Sequence, residues 1–230
     1  LLISFGLDGK MVGDATVMSA KSGARGFYAV AVDPKDQTVY AAGYETPDST
    51  AVRAGLLARI SVSGQLKTEV VSNGKFAAAF HDLILHDKAG LIAVGERIVP
   101  GATPSVRGWL VMVDQSLGAQ KSFTSGGGGA ERFFAVTPAA GDEVIAAGTS
   151  TSGSNGKGDG WLRGFDLVKS SWSKLDKKIG LGETDLIEAV HYTEGRLLAV
   201  GTSASYGSNQ DAWQLSMTVE GTSACALSGQ

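Results

Sequence analysis

A short string of two small residues followed by glycine recurs four times along the chain, and its spacing limits the possible folds more than any other feature. The copies end at Gly43, Gly95, Gly148 and Gly201, which lie 52, 53 and 53 residues apart. Each glycine closes an apolar run, and a second apolar run lies upstream, led by aromatic residues in three copies. A fixed period of this kind is typical of repeat architectures, in which each unit buries its apolar faces against its neighbours.

A second anchor follows each glycine and extends the repeat to a fifth copy. Trp109, Trp161 and Trp213 each begin an alternating apolar segment, and Leu56 holds the same place in the preceding copy. The stretch Leu1–Gly9 has the length of the segments that begin at Leu56 and Trp213, so the five anchors lie 55, 53, 52 and 52 residues apart. Five copies at one period indicate a genuine repeat.

Each unit predicts four short strands, here called a to d. In the first complete unit we expect them at about 27–33, 37–45, 55–63 and 65–72, separated by turns rich in Pro, Asp, Ser and Gly. Strands a and b are nearly continuous apolar runs, which indicates burial on both faces, whereas c and d contain more polar residues. The glycine that ends strand b suits close packing or a tight exit from the strand, where a Cβ atom would clash.

A four-stranded unit repeated about every 53 residues predicts an all-β fold, a β-propeller of four-stranded antiparallel blades. One such sheet cannot bury both faces alone, whereas stacking around an axis buries them mutually. We expect Val, Leu, Ile and Ala of strands a to c to form the core between blades, with the repeated Trp residues as anchors inside it. The predicted single domain, residues 1–230, divides into a half blade and four blades at about 1–18, 24–74, 75–126, 127–179 and 180–230.

The half blade supplies strands c and d without a and b, which predicts five blades when the propeller is complete. The missing strand pair would then belong to a longer polypeptide or to a companion chain. Six to eight blades are an alternative, and so is a four-bladed ring in which residues 1–9 add an outer strand.

Two segments repeat a pattern of Gly-Trp-Leu followed by Asp: Gly158–Asp166 and Arg107–Asp114. Residues 126–131 extend the first copy upstream, whereas 210–213 keeps part of the pattern and 54–57 lacks both Trp and Asp. Over nearly the whole chain this pattern resembles a family of bacterial extracytoplasmic β-propellers with blades of about 53 residues. The resemblance implies a propeller and a periplasmic, cell-surface or secreted location. It implies no single activity, because propellers host many functions.

Charge and composition exclude several classes of protein. The chain has 20 Lys and Arg against 23 Asp and Glu, a net charge of −3, which argues against a nucleic-acid partner because phosphate binding needs a basic stripe. No apolar run approaches the ~20 residues of a membrane span. The single cysteine, Cys225, excludes a disulfide framework within the chain. We expect it to be a small buried residue, with a disulfide to another chain or a missing segment as the alternative.

No motif predicts a metal, a cofactor or a catalytic residue. Gly126–Gly129 lacks the Lys and the helix of a phosphate-binding loop and is interpreted as a linker between blades. Asn155–Trp161 resembles one turn of a calcium-binding glycine-rich repeat, which needs stacked turns to supply enough oxygens. His81 and His86 are five residues apart, so a strand directs them to opposite faces. With His191, they are expected to be packed or solvated.

The long loops between strands b and c form the candidate binding surface. They lie at about 46–53, 98–107, 150–159 and 203–210, are polar, and share one face of the ring in the predicted fold. Repeats place insertions on one face, which is often the binding face. The predicted binding residues are Arg53, Arg107, Asp159 and Asp211, expected at equivalent ends of the four loops, and Tyr44 and Tyr206, which flank them.

The predicted function is non-catalytic: a binding or scaffolding propeller that forms part of a larger secreted or cell-surface protein or complex. The expected partner is a protein, a missing segment of the same polypeptide, or a glycan, with no cofactor. A hydrolase or lyase with its site at the mouth of the channel is one alternative. A lectin-like propeller is another, which the interpretation of the repeated Trp residues as core anchors weakens.

Overall fold

The computed structural model describes the chain at residues 23–47, 52–71, 77–103, 106–153, 157–180, 182–205 and 211–219. In these ranges the regular structure is β-strand without helix, so the predicted all-β class is confirmed. None of the described residues belongs to a helix long and apolar enough to cross a membrane. The predicted half blade at 1–18, Tyr206 and Cys225 lie outside the described residues.

The described strands form four antiparallel sheets, in which neighbours in sequence are neighbours in the sheet. The first sheet contains β1 (Ala24–Val32), β2 (Val39–Thr46), β3 (Ala54–Ile60) and β4 (Leu66–Val71). These are the strands a to d expected for this unit, with each end within three residues of its predicted position.

The other three sheets repeat this order, with three described strands in the fourth. We call the first, second and third strands of the sheets the a, b and c strands. The second sheet has β5 (Ala78–His86), β6 (Gly90–Ile98), β7 (Val106–Val113) and β8 (Gln120–Thr124). The third has β9 (Glu131–Pro138), β10 (Glu143–Ser150), β11 (Asp159–Asp166) and β12 (Ser171–Ile179). The fourth has β13 (Asp185–Thr193), β14 (Arg196–Ser203) and β15 (Asp211–Thr218).

The sheets pack face to face in series through their a strands. β5 packs against β1, β2 and β3, β9 packs against β5, β6 and β7, and β13 packs against β9, β10 and β11. At the first of these junctions Tyr40 and Leu57 of one sheet meet Phe80, Leu83 and Trp109 of the next, all at most 4% exposed. Equivalent apolar clusters fill the second and third junctions.

The middle strands explain why the b segments are continuous apolar runs. In β6, Leu91 and Ala93 face the first junction, whereas Ile92 and Val94 face the second. Because successive side chains point to opposite faces of a strand, a sheet covered on both sides needs apolar residues at every position.

The repeated Trp residues lie in the core, as the sequence predicted. Trp109 and Trp161 are each 1% exposed, and Trp213 is 8% exposed. The indole N–H of Trp109 donates to Ser122 Oγ at 2.7 Å, and that of Trp161 donates to Asp176 Oδ1 at 2.7 Å. Both acceptors belong to the fourth strand of the same sheet, so each Trp ties its c strand to the sheet edge.

The outward faces of the first and last sheets, here called the end faces, keep apolar side chains in solvent. Val30 and Val32 of β1 are 58% and 50% exposed, whereas Leu83, which matches Val30 in β5, is 4% exposed. Leu198 and Val200 of β14 are 43% and 47% exposed. Their equivalents in the other three b strands are 0% to 2% exposed: Tyr40, Ala42, Ile92, Val94, Ile145 and Ala147.

Candidate functional site

Each a strand carries one extra residue where it pairs with the repeat glycine. Phe27 pairs with Gly43 and Ala29 pairs with Ala42, so Tyr28 between them has no partner in β2. The same β-bulge occurs once in each of the other a strands, at His81, Phe134 and Glu188. A bulge turns its extra side chain away from the regular alternation of the strand, and bulges are frequent beside functional sites.

The glycine that ends each b segment makes room for this bulge. A Cβ atom on Gly43 or Gly95 would lie 1.9 Å from a carbonyl oxygen of the neighbouring a strand. The corresponding distances at Gly148 and Gly201 are 2.0 and 1.8 Å. Because the clashing atom belongs to the backbone, no side-chain rotation relieves it, so the predicted steric role of the glycine is confirmed.

The bulge residues of three successive sheets, Tyr28, His81 and Phe134, form a continuous series of ring contacts, which Tyr44 of β2 extends. We call these four residues the bulge row. The ring centroids of Tyr44 and Tyr28 are 5.6 Å apart, those of Tyr28 and His81 5.4 Å, and those of His81 and Phe134 5.3 Å. Tyr28 remains 53% exposed. The row therefore presents aromatic surface across three sheets at one end of the a strands.

Charged groups border the row on the side of the second sheet. His81 Nε2 lies 3.9 Å from Glu96 Oε1, and Arg132 Nε donates to the other oxygen of the same carboxylate. Burial lowers the pKa of His81, and the positive charges of Arg132 and Arg53 act in the same direction, whereas Glu96 opposes them. At neutral pH His81 is therefore an uncharged aromatic member of the row.

A cleft of about 220 Å³ is lined by the second sheet together with Arg53, which precedes β3, and Arg132 of β9, and we call it the arginine cleft. Its charged lining consists of Arg53, Glu96, Arg97 and Arg132. The guanidinium carbon of Arg53 lies 4.3 Å from the ring centre of Tyr44. This stacking holds the arginine next to the exposed end of the bulge row.

The predicted binding residues separate into different surroundings. Tyr44 and Arg53 come together in the cation–π contact, as part of the row and the cleft. Arg107 donates from Nη1 to the carbonyl of Gly129, so it fastens the glycine-rich segment between the second and third sheets. Asp159 and Asp211 begin β11 and β15, and Asp211 is exposed.

The expected equivalence of four loop ends holds for three of them. Arg107, Asp159 and Asp211 each pair with the second residue after the repeat glycine. In the first sheet that place belongs to Ala54, which pairs with Glu45. Arg53 stands one residue earlier, so the equivalence predicted for it is wrong: it precedes Leu56 by three residues, whereas the other three loop ends precede their Trp by two.

Two further polar groups lie at the junctions between sheets. Between the second and third sheets, Glu131 is fully buried and accepts a hydrogen bond from the hydroxyl of Ser125, and the backbone of Gly127 covers its other oxygen. These contacts close the glycine-rich segment over a carboxylate, which is a structural role. Between the third and fourth sheets, burial raises the pKa of Asp159, with a further contribution from the negative charge of Asp185. Ser205 Oγ donates to Asp185 at 3.2 and 3.3 Å.

The other two histidines, His86 and His191, are not part of the bulge row. His86 Nδ1 accepts hydrogen bonds at 3.3 Å from the amides of Lys88 and Ala89, so it stabilises the turn between β5 and β6. His191 is exposed on β13. Within the described ranges, no group of three or more His, Cys, Asp and Glu side chains is arranged to hold a metal ion.

The sequence contained a signal for the bulge row that the loop-based prediction missed. Tyr28, His81 and Phe134 are separated by 53 and 53 residues, the period of the repeat itself. A bulge position is not evident from a pattern of strict alternation, so the shared surface of these rings was not predicted.

Comparisons with known proteins give no further assignment. No protein-family model matches the chain, and no curated protein shows significant sequence similarity to it.

Proposed function

We propose that the chain is a β-propeller-type binding module whose ligand-contacting surface is the bulge row with the arginine cleft. In this proposal the four sheets are blades and the a strands surround a central axis. Two observations support the arrangement: each a strand packs on the preceding sheet, and residues of β1, β5 and β9 together line a cleft of about 620 Å³ at the opposite end of these strands.

The bulge row carries the functional part of the proposal. A core of aliphatic residues does not require three bulges to direct rings to one place, and Tyr28 is more than half exposed. Sites that recognise ligands combine aromatic surface with a few positioned polar groups, here Arg53, Glu96 and Arg132. The extracytoplasmic location belongs to the same proposal and is supported by the resemblance of Gly158–Asp166 to secreted propeller blades.

Labelled protein should be tested on an array of neutral oligosaccharides, acidic oligosaccharides and peptides. The double variant Tyr28→Ala/Phe134→Ala removes two rings of the row, and we expect it to lose at least about tenfold of the binding. The matched control is Val62→Ala/Val168→Ala, which truncates two residues that are 79% and 75% exposed elsewhere. The proposal would be contradicted if neither the wild type, the double variant nor the control bound a ligand, or if all three bound it equally.

One observation favours an enzyme as the second candidate. His81 Nε2 lies 3.9 Å from Glu96 Oε1 beside the exposed row, which brings together an imidazole and a carboxylate, groups that serve as general bases, without a hydrogen bond between them. If the wild type releases products from the oligosaccharides or peptides of the array and His81→Gln does not, a hydrolase or lyase is favoured over a binding module.

The end faces support the scaffolding part of the proposal. Val30, Leu198 and Val200 are exposed, whereas their equivalents in the second sheet, Leu83, Ile92 and Val94, are buried. Continuing the same packing would place a further sheet of this repeat against each end face, from a longer polypeptide or a companion chain.

A further inference from the structure

We infer that the arginine cleft binds the carboxylate of an acidic sugar whose ring lies against the bulge row. This inference rests on the proposed binding function and specifies its ligand class. It follows from the charges of the cleft, from their positions relative to the rings, and from the shape of the guanidinium group.

The cleft has an excess of positive charge. Its lining contains three guanidinium groups, on Arg53, Arg97 and Arg132, and the carboxylate of Glu96. Glu96 is engaged by Arg132, so this pair neutralises itself. A small anion that enters therefore meets the positive charge of Arg53 beside this neutral pair, although the whole chain has a charge of −3.

Arg53 is the residue best placed to hold the anion. It is exposed, and among the described residues no carboxylate lies within ion-pair distance of it. Its guanidinium carbon lies over the ring of Tyr44 at 4.3 Å, and a cation–π contact of this kind does not use the hydrogen-bonding capacity of the N–H groups. An edge with parallel N–H groups matches the two oxygens of a carboxylate.

The anion of this inference is a carboxylate, because its two coplanar oxygens and single negative charge match one guanidinium edge. A phosphate also pairs with an arginine in this way, so glucose 6-phosphate is the competing anion in the test below.

The neighbouring rings favour a cyclic ligand. Tyr44 lies under Arg53, and Tyr28 continues the aromatic surface at 5.6 Å. A group bound at the Arg53 edge therefore has ring surface beside it, which suits a sugar that is polar at its rim and carries C–H groups on its face. A uronic acid combines this ring with one carboxylate.

Isothermal titration of the protein with glucuronate, glucose and glucose 6-phosphate separates these contributions. Glucuronate and glucose share the ring and differ in the carboxylate, so we expect glucuronate to bind at least tenfold more tightly. Arg53→Gln should remove this preference. Arg196→Gln is the matched control, since it removes the same charge from an exposed residue of β14 whose guanidinium contacts Ser216.

Several results would overturn the inference. Equal affinity for glucuronate and glucose would exclude carboxylate recognition, and tighter binding of glucose 6-phosphate would assign the cleft to phosphate. An equal loss in Arg53→Gln and Arg196→Gln would mean that only the overall charge matters. Row-dependent binding of neutral oligosaccharides or peptides on the array, without a glucuronate preference, would leave the binding function standing and refute the ligand class.

Discussion

Gly95 shows how the absence of one methyl group sets the geometry of this molecule. Its missing Cβ leaves space for the carbonyl oxygen of Ala79, and this close approach accompanies the bulge at His81. The same relation recurs at every repeat glycine. A side chain at this position would therefore disturb the pairing of the a and b strands and the orientation of the bulge residue.

We predict that Gly95→Ala destabilises the protein by about 2–4 kcal/mol, because the new Cβ meets backbone on the neighbouring strand. The measurement is urea unfolding followed by Trp fluorescence. Gly126→Ala is the matched control, since a Cβ at Gly126 would meet no heavy atom within 4 Å, and its effect should stay within about 0.5 kcal/mol. Equal destabilisation by both substitutions would refute the steric explanation.

Between elements, Asp82 connects two a strands. Its Oδ2 accepts a hydrogen bond at 2.8 Å from the amide of Val136 in β9, and its Oδ1 accepts one at 2.8 Å from Leu83. Burial raises the pKa of Asp82, and the two amides only partly offset this effect. The folded state therefore favours the protonated carboxyl, so the stability from this group is present at low pH and is lost as the pH rises through its raised pKa.

We predict that the free energy of unfolding of Asp82→Asn, whose side chain cannot ionise, increases relative to that of the wild type as the pH rises from 4 to 7. Urea unfolding at several pH values gives this difference. Asp36→Asn is the opposing control, because hydrogen bonds from Thr38 lower the pKa of Asp36, and its contribution is lost as the pH falls. A pH-independent difference for Asp82→Asn, or the same sign for both variants, would contradict the assignment.

Some features of the elements could be predicted from the sequence and others could not. The strand order, the Trp anchors and the role of the glycines could be predicted from the period of the sequence repeat. The bulge row did not, because one extra residue at Tyr28 reverses the alternation on which the strand interpretation depended. The equivalence expected for Arg53 was wrong by one residue, because the pairing of Ala54 with Glu45 places Ala54, and not Arg53, at the loop end that Arg107 occupies in the second sheet.

At the scale of the whole molecule, the exposed apolar side chains of the end faces bear on whether another sheet packs against them. Val200 is 47% exposed, whereas Val94 and Ala147 at the same place in inner sheets are 0% exposed. Apolar surface of this kind, continuous with an internal packing face, is typical of an interface. The proposed further sheet would extend the existing series of junctions by one.

We predict that Val200→Asp destabilises the native full-length polypeptide by about 3 kcal/mol or more, because a covered apolar face cannot solvate the charge. Two controls bracket the result in the same urea-unfolding measurement: Val94→Asp in a buried junction and Val62→Asp at a turn that is 79% exposed. A value close to that of Val94→Asp supports a covering sheet. A value close to that of Val62→Asp would show that the face is bare in the native protein.

The bulges give the repeat a set of interchangeable positions. Tyr28, His81, Phe134 and Glu188 place a phenol, an imidazole, a phenyl ring and a carboxylate on one backbone geometry. Because glycine and the backbone define that geometry, the side chain at the bulge is not needed to build the sheet. In the proposed binding function, exchange of these side chains would alter which ligand is bound while the construction of the sheets stays the same.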